Sequence, residues 1–209
     1  MNTHRFGFTA DRGVINTNPE IAQEAFQGIT DVIEIAGLDI DIVEESLSMT
    51  DALTNTTNQY RQDNGQIDGD WLYSDLVESR FCSPDAPKYL LISDDLTTRN
   101  TNFVFGFSVK ERGISIQSIA RFVSMGRELP ALTRHIARHE YGHLLGLDGD
   151  SIINQDKRGG LYQGHCANTC TMQQVMTAGE ALKKSRELRT KPMAGFCMDC
   201  VDVLVELHR

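Results

Sequence analysis

The segment His139-Glu140-Tyr141-Gly142-His143 carries the residue types of metal-assisted hydrolysis at a helical spacing. Residues four apart on a helix share one face, so both imidazoles reach the same ion. Glu140 sits beside that ion, where a carboxylate can hold a water and take its proton, which is the metallopeptidase reading of H-E-x-x-H. Two histidines leave a catalytic zinc one ligand short, because such a site takes three protein ligands and keeps one position open. Downstream, Asp148, Asp150 and His165 each carry a donor, and the residues by themselves leave the choice among them open. His135 extends the series upstream, but three histidines spread over more than two turns of a straight helix do not converge on one ion. It is expected as a polar residue at the rim. Asp148, Asp150 and Asp156 lack a calcium-ligand spacing and read as a solvated acidic loop.

The five cysteines point to a second metal. Cys166, Cys170, Cys197 and Cys200 form two close pairs, and four thiolates can enclose one zinc in a tetrahedral, structural site. Two disulfides or four free thiols are the other options. Residues 1–7 lead into polar sequence rather than an apolar signal core, so a reducing, cytoplasmic setting is expected, which favours metal over disulfide. Such a site would pin the loop carrying His165 to the C-terminal helix. Cys82 has no partner in sequence and is expected to be an ordinary, partly buried cysteine. A thiol–disulfide protein built on Cys197 and Cys200 would explain neither His139 nor Glu140.

A helix must carry the first motif. Pro130 suits its first turn, and Leu132, Ile136, His139 and His143 fall on one stripe while Arg134 and Arg138 do not. Gly146 follows Leu144 and Leu145, a natural place to stop in a left-handed conformation. Before it, residues 19–28 are expected as a helix, and 38–43 alternate as a half-exposed strand. Residues 50–66 read as loop with a short helix. Three strands are expected at 89–93 (central and buried), 103–107, and 114–119 (more edge-like). After the motif, residues 173–189 read as a helix that stops before Pro192. A last helix starts near Cys197 and carries Val201, Leu204 and Val205.

In order, the chain shows His139, Glu140, His143 and Gly146, then His165-Cys166, Cys170 and Met172, then Cys197 and Cys200. This resembles the archaemetzincin family of zinc metallopeptidases, whose pattern is H-E-x-x-H-x-x-G-x-x-H-C-x4-C-x-M followed by C-x-x-C. Residues 102–106 also look like that family's sheet segment, so the resemblance spans residues near 100 to 200. It departs in three places. Residues 147–164 intervene before the third His, and Gly149 stands at the family's His position. The first cysteine pair is C-x3-C, and the stretch from Met172 to Cys197 is long.

The resemblance implies an α/β fold: a single metzincin-like domain, with a mixed twisted sheet packed on an active-site helix and a helical C-terminal lobe braced by a four-cysteine zinc. It implies His165, which keeps the His-Cys dipeptide, as third ligand in preference to Asp148 or Asp150. Met172 would form the hydrophobic floor beneath the catalytic zinc, with Met176 the weaker candidate. Two zinc ions per chain follow, one catalytic on His139, His143 and His165, one structural on the four cysteines. Peptide bonds would be hydrolysed by zinc-activated water with Glu140 as general base, on a substrate extended along an edge strand, taken here as 114–119. Tyr162, near His165, is weighed as an oxyanion donor against the default reading of a loop tyrosine packed on the surface. The alternative reading is a non-catalytic, zinc-stabilised module that binds peptides or proteins.

Length and charge agree with one enzyme domain. The 209 residues suffice for one sizeable core, divided as 1–146 for the sheet and active-site helix and 147–209 for the ligand loop, Met turn and cysteine lobe. An apolar fraction of 40% is ordinary for a soluble domain, and no run is long enough to span a membrane. A net charge of −9 argues against broad binding to nucleic acid or anionic membrane. The expected partner is a peptide or small protein substrate; the oligomeric state is left open, with a monomer as the default.

Overall fold

In the computed structural model, which describes residues 4–99 and 101–209, strands and helices are interleaved up to residue 92, and four further strands then precede the helix that carries His139 and His143. It runs β1 (His4–Ala10), α1 (Arg12–Thr17), α2 (Pro19–Ala36), β2 (Ile40–Glu44), α3 (Leu47–Gln59), β3 (Ile67–Asp68), α4 (Gly69–Glu78) and β4 (Lys88–Ile92). Next come β5 (Leu96–Thr98), β6 (Thr101–Val104), β7 (Gly106–Val109), β8 (Ile114–Ser118) and α5 (Leu129–Leu144). The chain closes with α6 (Ala178–Leu188) and α7 (Met198–Leu207). The main sheet has the order β2-β1-β4-β8-β7. Its first four strands are parallel, and β7 runs antiparallel at the edge. A small sheet, β3-β5-β6, sits beside it.

Alternation along the parallel strands divides the core in two. Phe6, Phe8, Tyr89 and Leu91 face α2, α5 and the C-terminal lobe. Leu90, Ile92, Ile114 and Ile116 face the other way, onto Leu53 of α3 and Leu72 and Leu76 of α4. The result is a sheet covered on both faces, the usual fate of parallel strands. Among the described residues no helix is long and apolar enough to cross a membrane.

Several elements differ from the sequence expectation. The helix read over 19–28 continues to Ala36, because Ile29, Val32, Ile33 and Ala36 extend the same buried stripe. The polar stretch 50–66 holds most of α3, and α4 went unread. The strand expected at 103–107 breaks at Phe105 into β6 and β7, which belong to different sheets. The strand expected at the edge, 114–119, is β8, and it lies inside the sheet between β4 and β7 with every residue buried. Its polar alternation misled. Ser115 and Gln117 point not to solvent but to partners: Ser115 Oγ lies 2.8 Å from Ser108 Oγ, and Gln117 Nε2 donates to the Thr133 carbonyl of α5 at 3.2 Å. On this side of the sheet the edge is therefore β7, not β8.

Candidate metal centre

Helix α5 begins with Pro130 in its first turn and ends before Gly146, whose φ of 101° is the left-handed stop expected there. Along it, His139 and Glu140 are buried and His143 is half-buried. The loop after α5 delivers His165 to the same point. The Nε2 of His143 lies 3.2 Å from the Nε2 of His139 and 3.2 Å from that of His165.

Each ring is held from behind. The Nδ1 of His139 lies 2.9 Å from the Thr171 carbonyl oxygen, that of His143 2.7 Å from the Leu147 carbonyl, and that of His165 3.2 Å from the Gln163 carbonyl. A carbonyl oxygen only accepts, so the Nδ1 atoms carry the protons and donate. Three bare Nε2 lone pairs are left facing one another. Burial, and for His139 and His143 the neighbouring imidazoles as well, hold these histidines below their ordinary pKa, that of His143 at about 3, so protons do not relieve the clash. A cation does. Tetrahedral zinc with nitrogen at 2.0–2.1 Å requires N···N separations of about 3.3 Å, close to those seen. Asp148 and Asp150, the competing donors, are exposed and stand outside this cluster.

Glu140 is 5% exposed. Ser108 on β7 donates to its Oε2 at 3.0 Å and lies 2.8 Å from its backbone oxygen. Burial raises its carboxyl to about 8, against the lowering effect of the Ser108 hydrogen bond. Room for the carboxylate comes from Gly106, where a methyl group would stand 2.8 Å from Glu140 Oε1 and 2.8 Å from the Ile116 carbonyl oxygen. Met172 is fully buried, and its sulfur occupies the space over Gly142: a methyl there would lie 2.6 Å from Sδ. It thus packs against α5 at Gly142, the residue before His143. The cleft in front has a volume of about 580 Å³. Strand residues 101–108 form one wall, Gln174, Val175 and Met176 another, and His139, Glu140, His143 and His165 lie at its base.

The four cysteines form the second cluster. Cys166 Sγ lies 3.7 Å from Cys197 Sγ, and Cys170 Sγ lies 3.7 Å from Cys200 Sγ. A disulfide needs about 2.05 Å, whereas sulfurs on a tetrahedral zinc at 2.3 Å stand about 3.8 Å apart. The backbone N–H of Cys197 donates to Cys170 Sγ at 3.2 Å, the support a thiolate needs. Cys82 is free and buried in the opposite core, where burial pushes its thiol up to about 11.

Solved structures similar in fold to this chain include those of two archaemetzincins. The archaemetzincin of Methanopyrus kandleri is 20% identical over 98% of this chain and 95% of its own, with a TM-score of 0.67. The fold is the archaemetzincin fold. A second archaemetzincin, from Archaeoglobus fulgidus in complex with malonate, is 18% identical with a TM-score of 0.57. A zinc-dependent peptidase of Methanocorpusculum labreanum is 16% identical with a TM-score of 0.54. Each of these two aligns over 95% of this chain and 99% of its own. By sequence, no protein-family model and no curated relative matches the chain.

Within the archaemetzincin fold the 147–164 segment is a folded excursion. Asp156 N–H donates to the His165 carbonyl at 2.8 Å and Ala167 N–H to the Asn154 carbonyl at 2.8 Å, while Leu147 and Ile152 are buried beneath. Tyr162 is absent from the cleft lining and stacks on the Arg158 guanidinium, 3.6 Å from its ring centre, which is the packing expected by default of a loop tyrosine rather than the placement of an oxyanion donor. Asp156 is not solvated but buried and paired with that same Arg158. His135 is likewise no rim residue: it is 3% exposed, and burial holds its pKa at about 3. Ser108 and the three carbonyl acceptors escaped the sequence reading, since backbone oxygens leave no trace in residue type. Gly106 left one: a glycine inside an aromatic strand pattern marks a close approach.

Proposed function

We propose that the chain is a zinc-dependent peptidase in which His139, His143 and His165 hold the catalytic zinc and Cys166, Cys170, Cys197 and Cys200 a structural one. The carrying observation is the meeting of three Nε2 lone pairs beside the buried carboxylate of Glu140. Bound zinc would supply a Lewis acid that brings a water pKa towards about 7 and polarises a carbonyl. Glu140 takes the proton of the attacking water and returns it to the leaving amine. Ser108 keeps the carboxylate aimed, and a dication held by the histidines would favour its charged form over the neutral one that burial alone holds to about pH 8. An extended peptide pairs with the free edge of β7, which runs along the cleft beside Glu140, in place of the interior β8. Four thiols kept for metal suit a reducing compartment, consistent with the cytoplasm.

A buried general base also argues against a purely structural metal site, which has no use for one. The test is a peptide library incubated with wild type and Glu140→Gln, with zinc counted in both. Cleavage by the wild type alone, at equal zinc content, is expected. Equal cleavage by the variant would remove Glu140 from the mechanism, and no cleavage by either would favour the binding-module reading.

A further inference from the structure

Thr171 is fully buried between Cys170 and Met172, and each of its polar atoms is committed. Its carbonyl accepts from Nδ1 of His139 at 2.9 Å. Its amide donates to the Gly195 carbonyl at 2.9 Å, and its hydroxyl donates to the Ala194 carbonyl at 2.9 Å. These acceptors belong to an unusual turn. Met193, Ala194 and Gly195 are consecutive residues with φ of 51°, 49° and 82°. Side-chain-bearing residues rarely adopt that conformation, and a run of them persists only where the surroundings impose it. Two donors impose it on Ala194: the Thr171 hydroxyl and Nη1 of Arg138, 3.4 Å from the same oxygen. Arg138 is itself anchored at its other edge by Asp31 of α2, with Nη2 at 2.6 Å and Nε at 2.7 Å.

We propose that Thr171 is a positioning residue for the metal centre: its hydroxyl clamps the 193–195 turn, and its carbonyl, fixed by that clamp, sets the ring and tautomer of His139. The inference rests on the reading of His139 as a ligand. Valine would fill the same buried volume, so the hydroxyl is what the position requires. An imidazole whose second nitrogen loses its fixed acceptor rotates and becomes a poorer ligand, the general behaviour of groups behind metal-bound histidines.

The experiment titrates Co(II) into protein whose labile His-site metal has been removed by chelation and whose cysteine-site zinc is retained. Thr171→Val is expected to bind Co(II) about 10–100-fold more weakly, with shifted d–d bands, whereas Thr171→Ser stays within about threefold of wild type. Cysteine-site zinc should remain in both. Equal Co(II) affinity and spectra in the two variants would overturn the proposal. If Thr171→Val does not fold, Arg138→Met carries the test, since it removes the other donor to Ala194. Weakening by about threefold or more is then expected, and unchanged binding and spectrum overturn the proposal. A wild type that takes Co(II) at the histidines yet cleaves no peptide sinks the peptidase reading and leaves this one standing. A wild type that takes none there sinks both.

Discussion

Gly149 and Gly164 meet backbone to backbone: a methyl group on Gly164 would lie 3.2 Å from the Gly149 nitrogen. The excursion between them leaves and rejoins the fold at one place. His165 therefore joins the histidine cluster at the point where the chain, without the excursion, would continue from Asp148. Closing a longer loop costs little extra entropy, since the cost grows only with the logarithm of its length.

Joining Asp148 directly to His165 should then preserve the site. Such a variant is expected to keep both metals, with His-site affinity within about tenfold of wild type. It loses the burial of Ile152, which is 3% exposed and worth about 2 kcal/mol, so its urea midpoint falls. A folded variant lacking the His-site metal would show that the excursion shapes the centre.

Gly106→Ala places a methyl against both the Glu140 carboxylate and the Ile116 carbonyl. The backbone oxygen cannot yield, so the carboxylate must. Cleavage should fall by on the order of 10²-fold at unchanged zinc content, the usual consequence of a misplaced catalytic group. Full activity in this variant would show that the base tolerates displacement.

Cys200→Ser breaks the second cluster, whose Cys166, Cys170 and Cys200 lie within the main hydrophobic core. It should lose the cysteine-site metal and several kcal/mol of stability, about the scale at which structural zinc contributes to folding. His165 adjoins Cys166, so the other metal should weaken too. Calorimetry with metal counting checks both, and an unchanged melting temperature after loss of that zinc would contradict a structural role.

Acid should destabilise the metal-free chain. Burial holds His135 and His143 at about 3, below the 6.5 of the unfolded state. The unfolded chain thus binds more protons between these values, and stability falls as pH drops from about 6.5 towards 3 at up to about 1.4 kcal/mol per unit for each such group. His135→Leu removes one of them without touching the metal cluster. Urea midpoints at pH 7.5 and 4.5 should lie closer together in that variant, and an equal gap would show that His135 does not take part.

Residue type and order alone singled out His139, Glu140 and His143 and the existence of α5, because each depends on spacing within a few turns of chain, and the cysteine set, because each of its two close pairs is legible locally. The helical stripe from Leu132 to His143 and the stop at Gly146 needed no partner to be legible. The interior place of β8 is not legible in its residues, because Ser115 and Gln117 are polar yet buried, and whether a polar face meets water or another buried group is decided by what packs on it. The order of motifs favoured His165 over Asp148 and Asp150, but the approach of its ring to His143 was tertiary. It depended on the return of Gly164 to Gly149, a contact between residues whose types announce nothing. The same holds for the Thr171 carbonyl behind His139: every residue has such an oxygen, and only the folded chain selects which one a histidine meets.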